Sequence, residues 1–339
     1  MAGDALPIYA LTTRAPLVDG FGRTIDYVRL SVTDRCDLRC HYCMAEEMEF
    51  LPRKDLLSFE EIDALADILI ERGVKRIRLT GGEPLVRRGI VELAQRLGAK
   101  AGLDELTMTS NATQLARFAP ALALAGIRRI NVSLDSRDPD RFRAITRRGD
   151  LAQVLGGIAA AKRAGIAIKI NMVALKGVND DEIEAMARWC GSEGFGLTLI
   201  ETMPLGEISG LRSDHYLPLD AVVRSLAEMF DLIPTLHRSG GPARYYDVPK
   251  IGLRLGVITP LTNNFCAGCN RIRIAATGTV YGCLGHDQKV ELRERLRSGG
   301  RAAVDAALDE LLAGKPRRHE FDIAAVRPAV ARHMSVTGG

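Results

Sequence analysis

Aromatic side chains are scarce in this 339-residue chain, at 5% with a single Trp, which argues against a platform for stacking nucleic-acid bases. Charge of one sign is scarce too: 46 Lys and Arg face 42 Asp and Glu, for a net charge of +4. That balance permits an anionic small-molecule partner and argues against a nucleic-acid partner. No apolar run approaches the ~20 residues that span a bilayer, and no basic stretch leading into an apolar core opens the chain. Neither a membrane association nor a signal peptide is therefore expected, and a cytoplasmic protein is. Hydrophobic residues make up 47%, ample for a core, and the length suits one large domain with an appendage, or two domains.

After a lead-in over residues 1–24 without strong pattern, expected to be loosely held, strand and helix signals alternate. YVRLSV from Tyr27, RIRLT at 76–80, ELTMT at 105–109, RINVSL at 129–134, IAIKINMV at 166–173 and LTLIETMP at 197–204 read as strands. Ser58 with Glu61 forms a capping box, and Asn179 with Glu182 is expected to cap a later helix. Six strand–helix units at roughly thirty-residue spacing predict a parallel sheet wound by right-handed crossovers. No glycine fingerprint follows the first strand, so an incomplete (βα)6 TIM-like barrel over 25–210 fits better than a dinucleotide fold. CDLRC, GGEP, TSN, SLD and MPLG all follow strands, at the end where barrels gather their sites. Beyond about residue 210 the pattern changes to short β-like runs with Gly and Pro. Residues 211–339 are expected to form a smaller C-terminal module.

Cysteine number is odd, at seven, and six fall in two tight groups. Cys36, Cys40 and Cys43 lie within CDLRCHYC; Cys266, Cys269 and Cys283 lie within NFCAGCNRIRIAATGTVYGC. Such groups read as metal or cluster sites rather than disulfides. Cys190 stands alone in a helical pattern and reads as a core thiol. Neither group has an obvious fourth ligand, which a structural zinc site requires. His41 lies inside the first loop, and His286 is the remote option for the second. Three thiolates round an iron–sulfur cluster leave one iron open to a small molecule. From the first motif alone, a radical-generating cluster, an electron-transfer cluster and zinc remain open. In the second group, a two-residue turn at Thr277–Gly278 would pair Ala276 with Thr279 and set Cys283 opposite Ile272. The same strand aligns Arg271 and Arg273 on one face.

The first cysteine spacing, its place after strand one and GGEP together resemble the radical S-adenosylmethionine superfamily. That resemblance implies a [4Fe-4S] cluster whose open iron binds S-adenosylmethionine and releases a 5′-deoxyadenosyl radical. It implies that the Gly82 carbonyl accepts from the ligand's ammonium, that Tyr42 borders adenine, and that Ser133 and Met203 are further contacts. Together with the second trio, LSVTDRCDLRCHYC, IRLTGGEPLVRR, INVSLD, IKINMVALKGVND, IETMPLGE and NFCAGCNRIRI resemble the GTP 3′,8-cyclase family of molybdenum cofactor biosynthesis. From this follow a second [4Fe-4S] cluster on Cys266, Cys269 and Cys283, and GTP as substrate. Arg29, Arg78, Thr109, Lys169, Arg271, Ile272 and Arg273 are the implied GTP contacts. The Gly338–Gly339 tail is implied to enter the active site and take part in catalysis.

The family reaction joins ribose C3′ to guanine C8, giving (8S)-3′,8-cyclo-7,8-dihydroguanosine 5′-triphosphate. It implies a reductase or flavodoxin-type electron donor, and cyclic pyranopterin monophosphate synthase downstream. A homodimer is among the assemblies compatible with the sequence. A radical maturase acting on a peptide, a two-cluster electron carrier and a zinc-ribbon nucleic-acid binder are the competing readings. The cysteine count, the triphosphate-sized barrel and the mild charge speak against them in turn.

Overall fold

The computed structural model describes residues 14–206, 212–325 and 328–338. Its elements run β1 (Tyr27–Ser31), α1 (Phe59–Glu71), β2 (Arg76–Thr80), α2 (Ile90–Gly98), β3 (Glu105–Ser110), α3 (Leu115–Leu124), β4 (Arg129–Ser133), α4 (Pro139–Thr146), α5 (Leu151–Arg163), β5 (Ala167–Ala174), α6 (Ile183–Glu193) and β6 (Gly196–Glu201). Then follow α7 (Leu219–Met229), β7 (Ile233–Thr235), β8 (Arg244–Val248), β9 (Leu253–Ile258), β10 (Arg271–Ile274), β11 (Thr279–Tyr281), β12 (Lys289–Glu291), α8 (Leu292–Ala313) and α9 (Met334–Thr337).

The β1–β6 strands pair in sequence order, all parallel, as the alternation predicts. The side-chain period of two divides each strand. Val28, Leu30, Ile77, Leu79, Ile130, Val132, Ile168 and Ile170 are buried in the layer between sheet and helices. Each such side chain contributes about 1.5–3 kcal/mol of burial free energy. The alternate residues Arg29, Arg78, Asn131 and Lys169 face inward instead, onto a cavity.

The C-terminal module extends the same sheet: β10 adds parallel to β1 and β9 adds parallel to β6, so one twelve-stranded sheet runs β12-β11-β10-β1-β2-β3-β4-β5-β6-β9-β8-β7. Two local expectations are corrected. The described part of the lead-in is packed rather than loose. Leu17 is fully buried, Val18 bridges Thr24, and Arg23 pairs with Asp19 at 2.5 Å while donating to the Cys266 carbonyl at 2.8 Å. Ser58 and Glu61 do form their capping box, but Asn179 caps no helix. Its amide donates to the Asp135 and Val173 carbonyls at 2.8 and 2.9 Å, tying the loops after β4 and β5 together.

The second hairpin is also shifted from its expected register. Arg273 pairs with Tyr281 and Ile274 with Val280, and the Ala275 N–H donates to the Thr279 carbonyl at 2.8 Å. The turn is therefore Ala276–Thr277–Gly278, with Gly278 at φ 89° supplying the left-handed step. Continued outward, this register sets Cys283 against Arg271, not Ile272. A one-residue slip exchanges the faces of a strand, so the corrected pairing brings Cys283 to the Arg271 and Arg273 side.

Candidate active site

The first thiol trio opens onto a cavity of about 1120 Å³ at the carboxyl ends of the strands. Cys36, Cys40 and Cys43 line it with Tyr42, Gly82, Ser133 and Met203, so every side chain or backbone expected to meet S-adenosylmethionine is gathered there. Thr109, expected beside the nucleotide, also lines this cavity, and its Oγ1 is buried without a partner. Gly82 is required sterically: a Cβ there would collide with the Asp34 and Arg35 carbonyls.

Carboxylates that the sequence reading passed over support this trio. Glu83 is fully buried and accepts from the Asn111 N–H at 2.6 Å, Ser110 Oγ at 2.9 Å and the Leu85 N–H at 3.0 Å. Burial pushes its pKa up to about 7 against those hydrogen bonds. Asp135 accepts from Tyr42 Oη at 2.6 Å and the Val173 N–H at 2.8 Å, fixing the Tyr42 ring, and burial lifts its pKa to about 6. Asp37 takes Thr113 Oγ1 at 2.6 Å and Asn111 Nδ2 at 2.7 Å. The trio's thiols feel this surrounding: burial and then Glu83 raise Cys36, while burial and then Asp135 push Cys43 up to about 12.

The second trio lines a separate cavity of about 1080 Å³, with the basic residues Arg29, Arg78, Lys169, Arg271 and Arg273. The register explains the convergence. Arg78, Arg29 and Arg273 are direct partners across β2, β1 and β10, one level of three adjacent strands. Among the described residues, none of the three pairs with a carboxylate. Arg78 Nε donates to Thr107 Oγ1 at 3.2 Å, Arg273 Nη1 to the Gly338 carbonyl at 2.7 Å, and Arg29 Nε is buried without a partner. Burial, then Arg273, pulls the Arg29 pKa well below its ordinary value. Lys169 Nζ rests on Tyr245 Oη at 2.7 Å, and burial with Arg78 and Arg129 nearby lowers its pKa to about 7. Ile272, expected among the substrate contacts, is fully buried in the core and lines neither cavity, because strand alternation turns it away.

One thiol of the second trio departs from this pattern, whereas burial raises Cys283 as it raises the first trio's thiols. Around Cys269, burial acts to raise the thiol, but the Arg271 and Lys315 charges override it and bring the pKa down to about 7. His286, the remote candidate for a fourth ligand, donates through Nε2 to the Arg318 carbonyl at 3.0 Å and does not line the cavity. His319 does line it, stacked on Phe321 at 4.3 Å with a buried, unpartnered Nε2. Tyr27 Oη, Asn131 Oδ1 and Asn171 Oδ1 on the same walls are also buried without partners. These idle donors and acceptors beside unpaired cations fit a polar, anionic ligand. The sequence carried a signal for Asn131 and Asn171, both at inward positions of strand alternation, but none for His319.

Asn171, Ile200, Met203 and Met334 belong to both cavities, so one wall separates and joins them. Met334 comes from the C-terminal segment. Ala329 and Val330 join the loop after β6, where the Gly206 N–H donates to the Val330 carbonyl at 2.9 Å. The chain then passes Arg332, whose guanidinium holds the Leu284 and His286 carbonyls at 2.6 and 2.7 Å, and delivers Gly338 to Arg273. Gly338 sits at φ 74° against Thr80, where a Cβ would collide. Gly339, the other tail glycine, lies outside the described residues.

Residues 30–190 match the Radical SAM superfamily, and residues 195–321 match the family Molybdenum Cofactor Synthesis C. Curated relatives cover nearly the whole chain. A Rhodopseudomonas palustris (strain TIE-1) protein named GTP 3′,8-cyclase is 56% identical over 334 residues, 97% of each chain. A Rhizobium meliloti (strain 1021) protein of the same name is 56% identical, covering 99% of this chain and 97% of that one.

The chain belongs to the GTP 3′,8-cyclase family.

The fold likeness extends to solved structures: Streptococcus suis SuiB superposes with a TM-score of 0.59 at 15% identity, over 86% of this chain and 67% of that one. SuiB bound to S-adenosylmethionine gives 0.55 at 14% identity, over 80% and 64%. Two [4Fe-4S] clusters and S-adenosylmethionine are the cofactors of the GTP 3′,8-cyclase family, and the donor sets agree with them. Each thiol trio faces a cavity, and thiolate sulfur is the donor that iron–sulfur clusters take.

Proposed function

We propose that this chain converts GTP to (8S)-3′,8-cyclo-7,8-dihydroguanosine 5′-triphosphate, with S-adenosylmethionine in the first cavity and GTP in the second. Cys36, Cys40 and Cys43 hold one cluster; Cys266, Cys269 and Cys283 hold the other. Bound, the first cluster and S-adenosylmethionine supply the 5′-deoxyadenosyl radical that takes the ribose C3′ hydrogen. The observation that carries the reading is the row Arg78–Arg29–Arg273, which has no carboxylate partner among the described residues and stands beside the second thiol trio.

Each residue then has a task. The guanidinium row and Lys169 neutralise the triphosphate, and bidentate guanidiniums match phosphate oxygens. Gly82 lets its loop approach the S-adenosylmethionine ammonium, and Asp135 fixes Tyr42 for the adenine. Ser133 and Met203 complete that pocket, and Thr109 reaches GTP from its wall. The seam of Asn171, Ile200, Met203 and Met334 is where sugar and radical source meet. Gly338 orients Arg273, and the Gly338–Gly339 tail takes part in catalysis. No helix among the described residues is long and apolar enough to cross a membrane. A cytoplasmic enzyme, reduced by a reductase or flavodoxin-type donor and feeding cyclic pyranopterin monophosphate synthase, completes the reading.

Anaerobic incubation with dithionite, S-adenosylmethionine and GTP tests it. The expected result is 5′-deoxyadenosine that forms only with GTP and disappears in Cys40→Ser. Release of 5′-deoxyadenosine indifferent to any nucleotide overturns the assignment of GTP.

A further inference from the structure

Lys315 is 3% exposed, follows the glycine that ends α8, and among the described residues has no carboxylate partner. A buried ammonium needs its three donors satisfied. Lys315 Nζ reaches Cys269 Sγ at 3.6 Å and the Arg271 carbonyl at 3.4 Å, and makes a closer bond to the Gly282 carbonyl. Those acceptors lie at the two ends of the β10–β11 hairpin, one beside Cys269 and the other beside Cys283. Gly282 makes room: a Cβ there would stand 3.4 Å from Lys315 Cγ and 2.7 Å from Gln288 Oε1. Nothing in the reaction as described uses this side chain.

We infer that Lys315 is a positioning residue for the second cluster: it pins both ends of the cysteine hairpin and places a positive charge and an N–H donor on one ligand sulfur. The inference rests on the reading that Cys266, Cys269 and Cys283 hold an iron–sulfur cluster. Reduction adds negative charge to a cluster, so a fixed cation and an N–H···S bond favour the reduced form. The thiolate charge of the site is in turn the counter-charge that a buried ammonium otherwise lacks. Among the described residues no cation bonds a sulfur of the first trio: the Arg39 guanidinium donates to the Cys36 and Leu38 carbonyls instead, and Glu83, Asp37 and Asp135 stand round the thiols. The effect of Lys315 is therefore confined to one of the two centres.

The test is a redox titration of the anaerobic two-cluster protein, followed by electron paramagnetic resonance, for wild type, Lys315→Met and Lys315→Gln. Gln keeps two N–H donors without the charge, whereas Met keeps the length of the stem and no donor. In both variants one cluster is expected to become at least tenfold harder to reduce, which for one electron is about 59 mV, while the other does not move. Unmoved potentials, or equal movement of both, overturn the inference. Should Lys315→Met lose the second cluster, iron and sulfide fall by half, and metal-free protein melting as wild type supports the pinning role. Metal-free protein that melts early, with a wild-type potential in Lys315→Gln, reduces Lys315 to a packing role and overturns it. Wild-type protein with one cluster and zinc would instead defeat the reading of the second trio.

Discussion

Replacing Arg29 by Met separates a residue built for a ligand from one built for the fold, because the two roles give opposite signs. Arg29 is the middle of the guanidinium row, with Arg78 and Arg273 as its register partners on either side. Two like charges 4–8 Å apart repel by about 2–4 kcal/mol at an effective dielectric of 20, before solvent screening reduces it. Arg29 is largely buried, and its Nε has no partner to lose. Relief of repulsion therefore outweighs the loss of hydrogen bonds in the ligand-free protein. A net gain of about 1 kcal/mol raises the melting temperature by about 1–3 °C in a chain of this size. In the GTP complex the sign reverses. A charge-assisted hydrogen bond contributes about 1.5–3 kcal/mol, so GTP affinity falls by about 10- to 150-fold. Calorimetric melting of the metal-free protein, and equilibrium binding of GTP to the anaerobic two-cluster protein, read the two effects. A variant that melts several degrees lower while binding GTP normally would refute the reasoning, because Arg29 would then be a structural ion.

Lys169 has a pKa near 7 in the free protein, chiefly through burial and then Arg78 and Arg129. A triphosphate raises it toward its ordinary range, so between about pH 7 and pH 9 GTP binding takes up a proton. Binding enthalpies at pH 8 in buffers of different ionisation enthalpy should show that uptake in wild type and lose it in Lys169→Met; uptake unchanged in the variant would exclude Lys169 as its source. Gly338→Ala places a Cβ against Thr80 at a backbone angle that suits glycine. The tail should leave the site: cyclised product falls at least tenfold, S-adenosylmethionine binding is retained, and limited trypsin cleaves sooner at Arg332. Normal turnover with unchanged cleavage would show the tail tolerates the methyl group.

The parts of the site that the sequence announces are those bound to local period or spacing. Cys36, Cys40 and Cys43 lie in one loop, and Arg29, Arg78 and Lys169 fall at inward positions of strands whose alternate residues are apolar. The C-terminal half was less legible because its placement is set by partners far away. β10 and β9 are short and join opposite edges of the sheet, so nothing near them in sequence identifies β1 and β6 as their neighbours. The sequence at Ala276–Gly278 accommodates either a two-residue or a three-residue loop, and the longer one is held by distant partners as well as by its own bonds: the Leu57 N–H donates to the Ala276 carbonyl at 2.8 Å and the Leu292 N–H to the Gly278 carbonyl at 2.9 Å. Lys315 and His319 carry no local signature at all. Arg23 was read as part of a loose lead-in, although its donors hold the carbonyls of Cys266 and Pro316.

The separation of charge between the cavities has a consequence for how the site stays open. Asp135 and Glu83 line or support one chamber, and Arg29, Arg78, Arg273 and Lys169 line the other, with no ion pair between the sets among the described residues. Contact between these opposite charges would fill the cavities with protein ion pairs in place of ligand. The seam of Asn171, Ile200, Met203 and Met334 carries no formal charge and keeps them apart. Asn171 and Ile200 come from β5 and β6, Met203 from the loop after β6, and Met334 from the tail. A ligand set that brings anionic phosphate to the basic chamber and a sulfonium to the acidic one satisfies both fields at once. On the proposed placement of the two ligands, the sugar meets its radical source across the same uncharged seam that separates these two sets of charges.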